Sequence, residues 1–232
     1  MNIVKNLIYI IKNFKSSWKN KLQVFVSKEL KSNGYAALSR KYIKTVGTEE
    51  YQVYLDDFSP VIEQVETEYC FDDLRSSDII LDIGANIGVF SLKVRNKVKS
   101  VYAVEPIFID AIKKNIVLNN ATNIEVFPLA LGNGENILIE YGEAQNTVLS
   151  KSLSELIQMC GGTVDFLKCD CEGGEWCIKP VELKGIRRIE GELHNFNGEN
   201  MNDFVDMLRS CGYNVNCEPR SKTTMLIHAF KN

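Results

Sequence analysis

The chain has 232 residues, 45% of them apolar and 25% charged, with 15 glycines and 5 prolines. That balance excludes collagenous, low-complexity and intrinsically disordered chains and fits one domain with an appendage. The formal net charge of -3 gives no bulk footprint of a nucleic-acid binder, so none is expected, but residues 1–48 carry a net of +9 and residues 49–232 a net of -12, which implies two regions with different tasks.

In the first 25 residues Val4, Leu7, Ile11, Phe14, Trp18, Leu22 and Phe25 recur at steps of three and four, with Lys5, Lys12, Lys15 and Lys19 between them. The spacing predicts a basic amphipathic helix whose stripe is covered by its own domain, by a second copy in a homodimer, or by an anionic membrane surface. No run approaches the roughly 20 apolar residues of a membrane span. Lys5 interrupts the apolar run from Ile3 to Ile11, no small-residue cleavage site follows it, and seven cysteines is an odd number. The expected setting is therefore the cytoplasm without a disulfide framework, with at most a peripheral contact to the inner face of a membrane. Residues 26–60 hold no chemical motif. The chain is read as an N-terminal extension over 1–60 and a main domain over 61–232, with 61–74 a helix leading into the latter.

From Ser77 short apolar runs alternate with helical segments. Strands are predicted at 78–83, 101–105, 124–129, 164–169, 187–193, 213–217 and 224–230, and helices at 87–97, 107–119, 152–159 and 200–210. Such alternation implies right-handed crossovers and a mostly parallel sheet covered on both faces. The last two strands are joined by Glu218 to Lys222 only, too short for a crossover helix, so they should pair antiparallel. Gly132-Asn133-Gly134 and the run Asn136 to Tyr141 suggest an inserted hairpin between 132 and 150.

Asp82-Ile83-Gly84-Ala85-Asn86-Ile87-Gly88 falls where the first of these strands meets a helix. Glycines there let a ligand approach the backbone, and the spacing differs from the Gly-x-Gly-x-x-Gly of a dinucleotide site. Glu105 ends the next strand, where a carboxylate can accept from both ribose hydroxyls of an adenosine; the bland alternative is a solvated strand-end charge. Lys168, Asp170 and Glu172 share one side of the fourth strand and its extension. Three charges at the end of a buried parallel strand demand pairing or a ligand. Glu190, Glu192 and His194 end the fifth strand, and His194 is a candidate general base because an imidazole ordinarily titrates near neutrality. His228 reads as a packing or surface residue. In open parallel sheets ligands bind beyond the carboxyl ends of the strands, so these clusters, with Ala130-Leu131, converge on one rim. Cys169, Cys171 and Cys177 lack zinc-finger spacing, and no metal site is expected.

These residues resemble the FkbM-type family of S-adenosylmethionine-dependent methyltransferases. The resemblance spans roughly Asp78 to Glu192 and rests on Leu-Asp-Ile-Gly-Ala-Asn-Ile-Gly (81–88), Ala-Val-Glu-Pro (103–106), Asn115 and Asn119, Ala-Leu-Gly (130–132) and Leu-Lys-Cys-Asp-Cys-Glu-Gly-Gly-Glu (167–175). It implies an α/β Rossmann-like fold, with a mostly parallel seven-stranded sheet and an antiparallel last strand, preceded here by a helical extension. It implies S-adenosylmethionine as cofactor, held by Asp82, Gly84, Ala85, Asn86 and Gly88, with the ribose at Glu105 and the adenine near Ala130 and Leu131. It also implies O-methylation of a hydroxyl on a sugar, glycan or related small molecule. Asp170, Glu172 and His194 are the candidate catalytic residues. The rival readings are a nicotinamide-dependent oxidoreductase and a binding module with an inert rim.

Overall fold

The computed structural model describes residues 3–13, 17–32, 45–54, 61–141 and 144–231. Two helices, α1 (Ile3–Asn13) and α2 (Trp18–Ser32), come first, where the sequence pattern suggested one. Ser17 divides them: its hydroxyl accepts from the Asn20 N–H at 3.4 Å, while its own N–H donates to Glu49 at 2.7 Å, so the chain is capped afresh there. The predicted stripe divides with it. Ile10, which lies off the stripe, is buried, whereas Trp18 and Leu22 are exposed; Phe14 lies outside the described residues.

A short antiparallel hairpin of β1 (Thr45–Gly47) and β2 (Gln52–Tyr54) follows, within a stretch that carried no strand signal. Its Val46, Tyr51 and Val53 share a hydrophobic cluster with Ile10, Phe90 and Phe166. The boundary expected at residue 60 lies outside the described residues. Helix α3 (Val61–Glu68) stops six residues short of its predicted end. Beyond it the Cys70 N–H donates to the Glu190 carboxylate at 3.0 Å, a partner that helix geometry could not supply.

The central sheet contains β3 (Ile79–Ile83), β4 (Ser100–Val104) and β5 (Ile124–Phe127). After β6 (Ala130–Leu131), β7 (Asn136–Tyr141) and β8 (Ala144–Lys151), the sheet resumes with β9 (Phe166–Cys169), β10 (Arg188–His194), β11 (Asn214–Pro219) and β12 (Thr224–Phe230). Its order is β11-β12-β10-β9-β3-β4-β5, with β12 antiparallel to both neighbours. The expected antiparallel last strand and the β7–β8 hairpin are both present. The crossovers use α4 (Val89–Val94), α5 (Ile109–Leu118), α6 (Leu153–Met159) and α7 (Met201–Ser210). Ser152 and Glu155 cap α6 reciprocally.

Two asparagines explain how the N-terminal hairpin is held. Asn115 Oδ1 accepts from the Tyr54 N–H, and Asn119 bonds both the N–H and the carbonyl of Gln52. The strand order reverses between β3 and β9, so the crevice beyond their carboxyl ends is the place where this topology binds ligands.

Candidate active site

The turn after β3 is shaped by its backbone. Gly84 adopts φ +74, and a Cβ there would lie 1.7 Å from the carbonyl oxygen of Asp170, so only glycine fits. The Gly84 and Ala85 N–H groups donate to Val104 O at 3.0 and 3.2 Å. Behind the turn, Asp82 of β3 faces Lys168 of β9 in register. Lys168 Nζ donates to Gly84 O at 2.6 Å and lies 3.3 Å from Asp82 Oδ1, while Asp82 Oδ2 accepts from the Ser91 hydroxyl at 2.6 Å. Burial pulls the Lys168 ammonium towards neutrality, but the charges of Asp82 and Asp170 outweigh it and raise its proton affinity. The lysine therefore remains a cation that pins the turn.

Glu105 stands at the end of β4, buried. Its Oε2 accepts from the Asn86 N–H at 2.8 Å, and Oε1 from the N–H groups of Ile107 and Phe108 at 2.7 and 3.0 Å. Burial raises its pKa and these three donors oppose the rise. The solvated strand-end charge is thus not what the fold makes of Glu105.

A cavity of about 470 Å³ opens over these strand ends. Gly84, Ala85, Asn86, Glu105, Ala130 and Leu131 line it, and so do the acidic residues Asp170, Glu172 and Glu192. Asp82, Gly88 and His194, also predicted site residues, are not in its wall. Asp82 is spent on Lys168 and Ser91. Gly88 has φ +86, and a Cβ there would meet the Ile112 side chain at 2.6 Å, so this glycine serves helix packing. His194 sits behind the acidic wall, its ring stacked on Phe196 at 5.5 Å.

The environment of His194 alters its expected chemistry. Nδ1 lies 3.3 Å from Glu175 Oε1, and Nε2 is 3.6, 3.9 and 4.0 Å from Glu172, Glu192 and Asp170. Burial lowers its pKa, but the hydrogen bond and charge of Glu175, together with Glu172 and Asp170, raise it to about 9. With no cation bound, these carboxylates favour the protonated ring, which sets His194 apart from the imidazole titrating near neutrality that the sequence suggested.

Two residues at the acidic end gave no sequence signal: Tyr69 and Gln64. The Tyr69 hydroxyl donates to Asp170 Oδ2 at 2.8 Å, and Gln64 Nε2 to Asp170 and Glu192 at 3.4 and 3.3 Å. Glu190, read as part of the rim, is instead fully buried in a paired cluster with Arg188, the Cys70 N–H and His228. His228 Nδ1 lies 2.7 Å from the Glu190 carboxylate within that cluster.

Residues 82–215 match the methyltransferase FkbM domain, more than half of the chain. The chain belongs to the FkbM methyltransferase family. Its cofactor is S-adenosylmethionine, and the nicotinamide alternative is set aside. Among individual relatives, it is 35% identical over 88 residues to a probable ribosomal RNA small subunit methyltransferase A of Methanosphaera stadtmanae, a match covering 37% of this chain and 31% of that protein. It is 36% identical over 67 residues to methyltransferase sdnD of Sordaria araneosa, covering 26% of each. The chain thus spans about a third or less of the curated relatives it matches. In structure it is similar to an rRNA methylase from Streptococcus thermophilus, with a TM-score of 0.53 at 10% identity over 75% of this chain and 97% of that one. It is likewise similar to Trm5b from Pyrococcus abyssi, with a TM-score of 0.51 at 17% identity over 82% and 56%. Those likenesses establish the Rossmann-like methyltransferase fold.

The FkbM-family site suits its cofactor in three respects. The cavity has the size of small-molecule pockets. The missing Cβ of Gly84 leaves the backbone turn accessible. Glu105 presents a buried carboxylate at the wall, and one lone-pair direction, on Oε2, is left by the Asn86, Ile107 and Phe108 N–H groups.

Proposed function

We propose that this methyltransferase acts on a hydroxyl of a sugar, glycan or related small molecule. The observation that carries the reading is the charge of the cavity. Glu105, Glu135, Glu140, Asp170, Glu172 and Glu192 line it against the single cation Lys168 among the described residues, and that ammonium is committed to Gly84 and Asp82. Such a wall repels a polyanion and accepts hydrogen bonds from a polyol. It argues against the ribosomal RNA named for two of the proteins this chain resembles.

S-adenosylmethionine supplies an activated sulfonium methyl. In our assignment Gly84, Ala85 and Asn86 approach it through the backbone, Glu105 Oε2 accepts from a ribose hydroxyl, and Ala130 and Leu131 flank its adenine. Asp170, Glu172 and Glu192 orient the acceptor hydroxyl and take its proton. Glu172 and Glu192 suit that task because burial, the largest cause, and the Asp170 charge raise both pKa values, while His194 partly opposes the rise.

Radiolabelled methyl transfer to a panel of saccharides, amines and RNA tests the reading. Transfer to saccharide hydroxyls is expected, and Asp170→Asn should lower turnover about tenfold or more with cofactor affinity nearly unchanged. Transfer to RNA alone would overturn the acceptor assignment. No transfer to any member, with cofactor bound, would favour the inert binding module.

A second proposal concerns α1 and α2, which we place on an anionic membrane surface. Ile8, Trp18 and Leu22 are 46%, 70% and 58% exposed, within residues 1–48, which carry a net charge of +9. Lipid charge and apolar burial act together on such a segment. Among the described residues no helix is long and apolar enough to cross a membrane. In flotation assays, vesicles containing phosphatidylserine should carry the chain at low salt and release it at high salt. A chain that never floats would leave the helices as a protein-packing element.

A further inference from the structure

We propose that Asp170, Glu192 and His194 form a site for one divalent cation at the acceptor end of the cavity. Their ligand atoms all lie within 4.8 Å of one another, and His194 is the residue that makes the cluster more than a set of acids. Its side chain is 5% exposed. Its Nε2 faces the carboxylates with no hydrogen-bond partner among the described residues: Glu172 Oε2, Glu192 Oε2 and Asp170 Oδ1 stand 3.6, 3.9 and 4.0 Å away. These separations are too long for hydrogen bonds. They match the roughly 3.0 to 4.2 Å expected between atoms that share one cation at about 2.1 Å.

A second observation is independent of that spacing. Histidines that bind metals direct their other ring nitrogen to a carboxylate or carbonyl, which fixes the tautomer and the ring. Here Nδ1 is directed to Glu175 Oε1 at 3.3 Å, and Glu175 is itself held by the Cys171 N–H at 2.7 Å and the Gly173 N–H at 2.8 Å. Across the cluster, Tyr69 and Gln64 donate to Asp170 Oδ2, which leaves Oδ1 turned towards His194. Carboxylate oxygens suit Mg, Ca and Mn, and the one imidazole nitrogen extends the set to the first-row divalent ions, of which Mn²⁺ serves as the probe. The cysteines, which first raised the question of a metal, are not part of it.

Asp170 and Glu192 also line the cavity, so a cation between them faces the acceptor. There it would bind the hydroxyl oxygen and lower the pKa of its proton, leaving Glu172, 56% exposed at its side chain, to receive that proton. This catalytic part rests on the hydroxyl acceptor proposed above; the cation site itself does not.

The test is a titration of the EDTA-treated full chain with Mn²⁺, following the electron paramagnetic resonance of the free ion, with no cofactor or acceptor present. One Mn²⁺ per chain is expected. His194→Asn and Asp170→Asn should each weaken binding at least about tenfold, and Glu175→Gln, which leaves the three ligands in place, roughly ten- to hundredfold. Retained binding of S-adenosylhomocysteine certifies the fold of each variant. If His194→Asn does not fold, Glu192→Gln replaces it. Absence of stoichiometric Mn²⁺ uptake at millimolar metal, or equal affinity in wild type and the ligand variants, would overturn the site and leave an imidazolium ion cluster. Mn²⁺ uptake without transfer to any hydroxyl would uphold the site and overturn the acceptor assignment alone.

Discussion

Where we place the cofactor, the cavity wall is largely backbone. Gly84, Ala85 and Asn86 are fixed by N–H bonds to Val104 and Glu105, and by the Lys168 ammonium on a carbonyl. At the other end the wall is side chains from separate segments, with Gln64 and Tyr69 near α3, Asp170 and Glu172 after β9, and Glu192 on β10 meeting around His194. The first end tolerates little change in main-chain conformation. The second can change its chemistry one side chain at a time, which is what enzymes that share a donor and differ in acceptor require.

The sharpest way to break the contrast is to place a Cβ where the backbone forbids one. In Gly84→Ala the new atom would meet Asp170 O at a φ of +74. Strain and overpacking together should cost about 4 kcal/mol of stability in denaturant unfolding and abolish cofactor binding. Gly134→Ala is the control, since a Cβ there meets nothing within 4 Å; only its positive φ remains, worth about 1 kcal/mol. Equal losses would show that the turn is not held against Asp170.

At the acidic end the corresponding test is pH. His194 titrates at about 9 when folded, against an ordinary 6.5. Because the folded value is the higher, its contribution is fully present below about pH 6.5 and is lost as the pH rises through about 9. Unfolding in EDTA should therefore show stability falling between pH 6.5 and 9 by an amount on the order of 3 kcal/mol. Asp170, Glu172, Glu175 and Glu192 face the ring, and His194→Asn should flatten the slope. A slope unchanged in that variant would detach the imidazole from the carboxylates.

Glu105→Gln separates the ends by ligand. The amide nitrogen cannot accept from the backbone donors now bonded to the carboxylate. Cofactor affinity should fall roughly ten- to hundredfold, equivalent to about 1.5 to 3 kcal/mol. Turnover at saturating cofactor should change little. Unchanged affinity, measured calorimetrically, would remove the ribose assignment.

What the sequence made legible follows the same division. The glycine turn and Glu105 lie within 24 residues of one another, and strand-helix alternation alone places both at one sheet edge. Lys168 was visible as a charge in a buried strand, although its partner emerges only from the β3–β9 register. Tyr69 and Gln64 could not be read, because a tyrosine and a glutamine near a helix end carry no pattern, and their target is more than a hundred residues away. The β1–β2 hairpin was missed for a related reason. Its three-residue strands are too short for an alternation signal, and it is held by Asn115 and Asn119, which the sequence marked as part of the family resemblance but not as partners of an earlier hairpin. His194 was legible as a residue of the rim, but its protonation depends on four carboxylates brought together by the fold.

The smallest expected effect is the most discriminating between the two ends. Tyr69 is buried edge-on to Phe90 at 5.6 Å, so Tyr69→Phe keeps the ring packing and removes only the hydroxyl. Burial, the largest cause, and the Asp170 charge hold the Tyr69 pKa well above its ordinary value. The group is therefore a hydrogen-bond donor throughout the working pH range. Its loss should lower stability by about 1 kcal/mol and leave cofactor affinity within experimental error, because the hydroxyl bonds Asp170 and no residue of the glycine turn. Turnover should fall severalfold as Asp170 loses the donor that fixes Oδ2. A fall in cofactor affinity matching the fall in turnover would mean that the acidic wall and the glycine turn respond as one unit, and the division of the cavity would not hold.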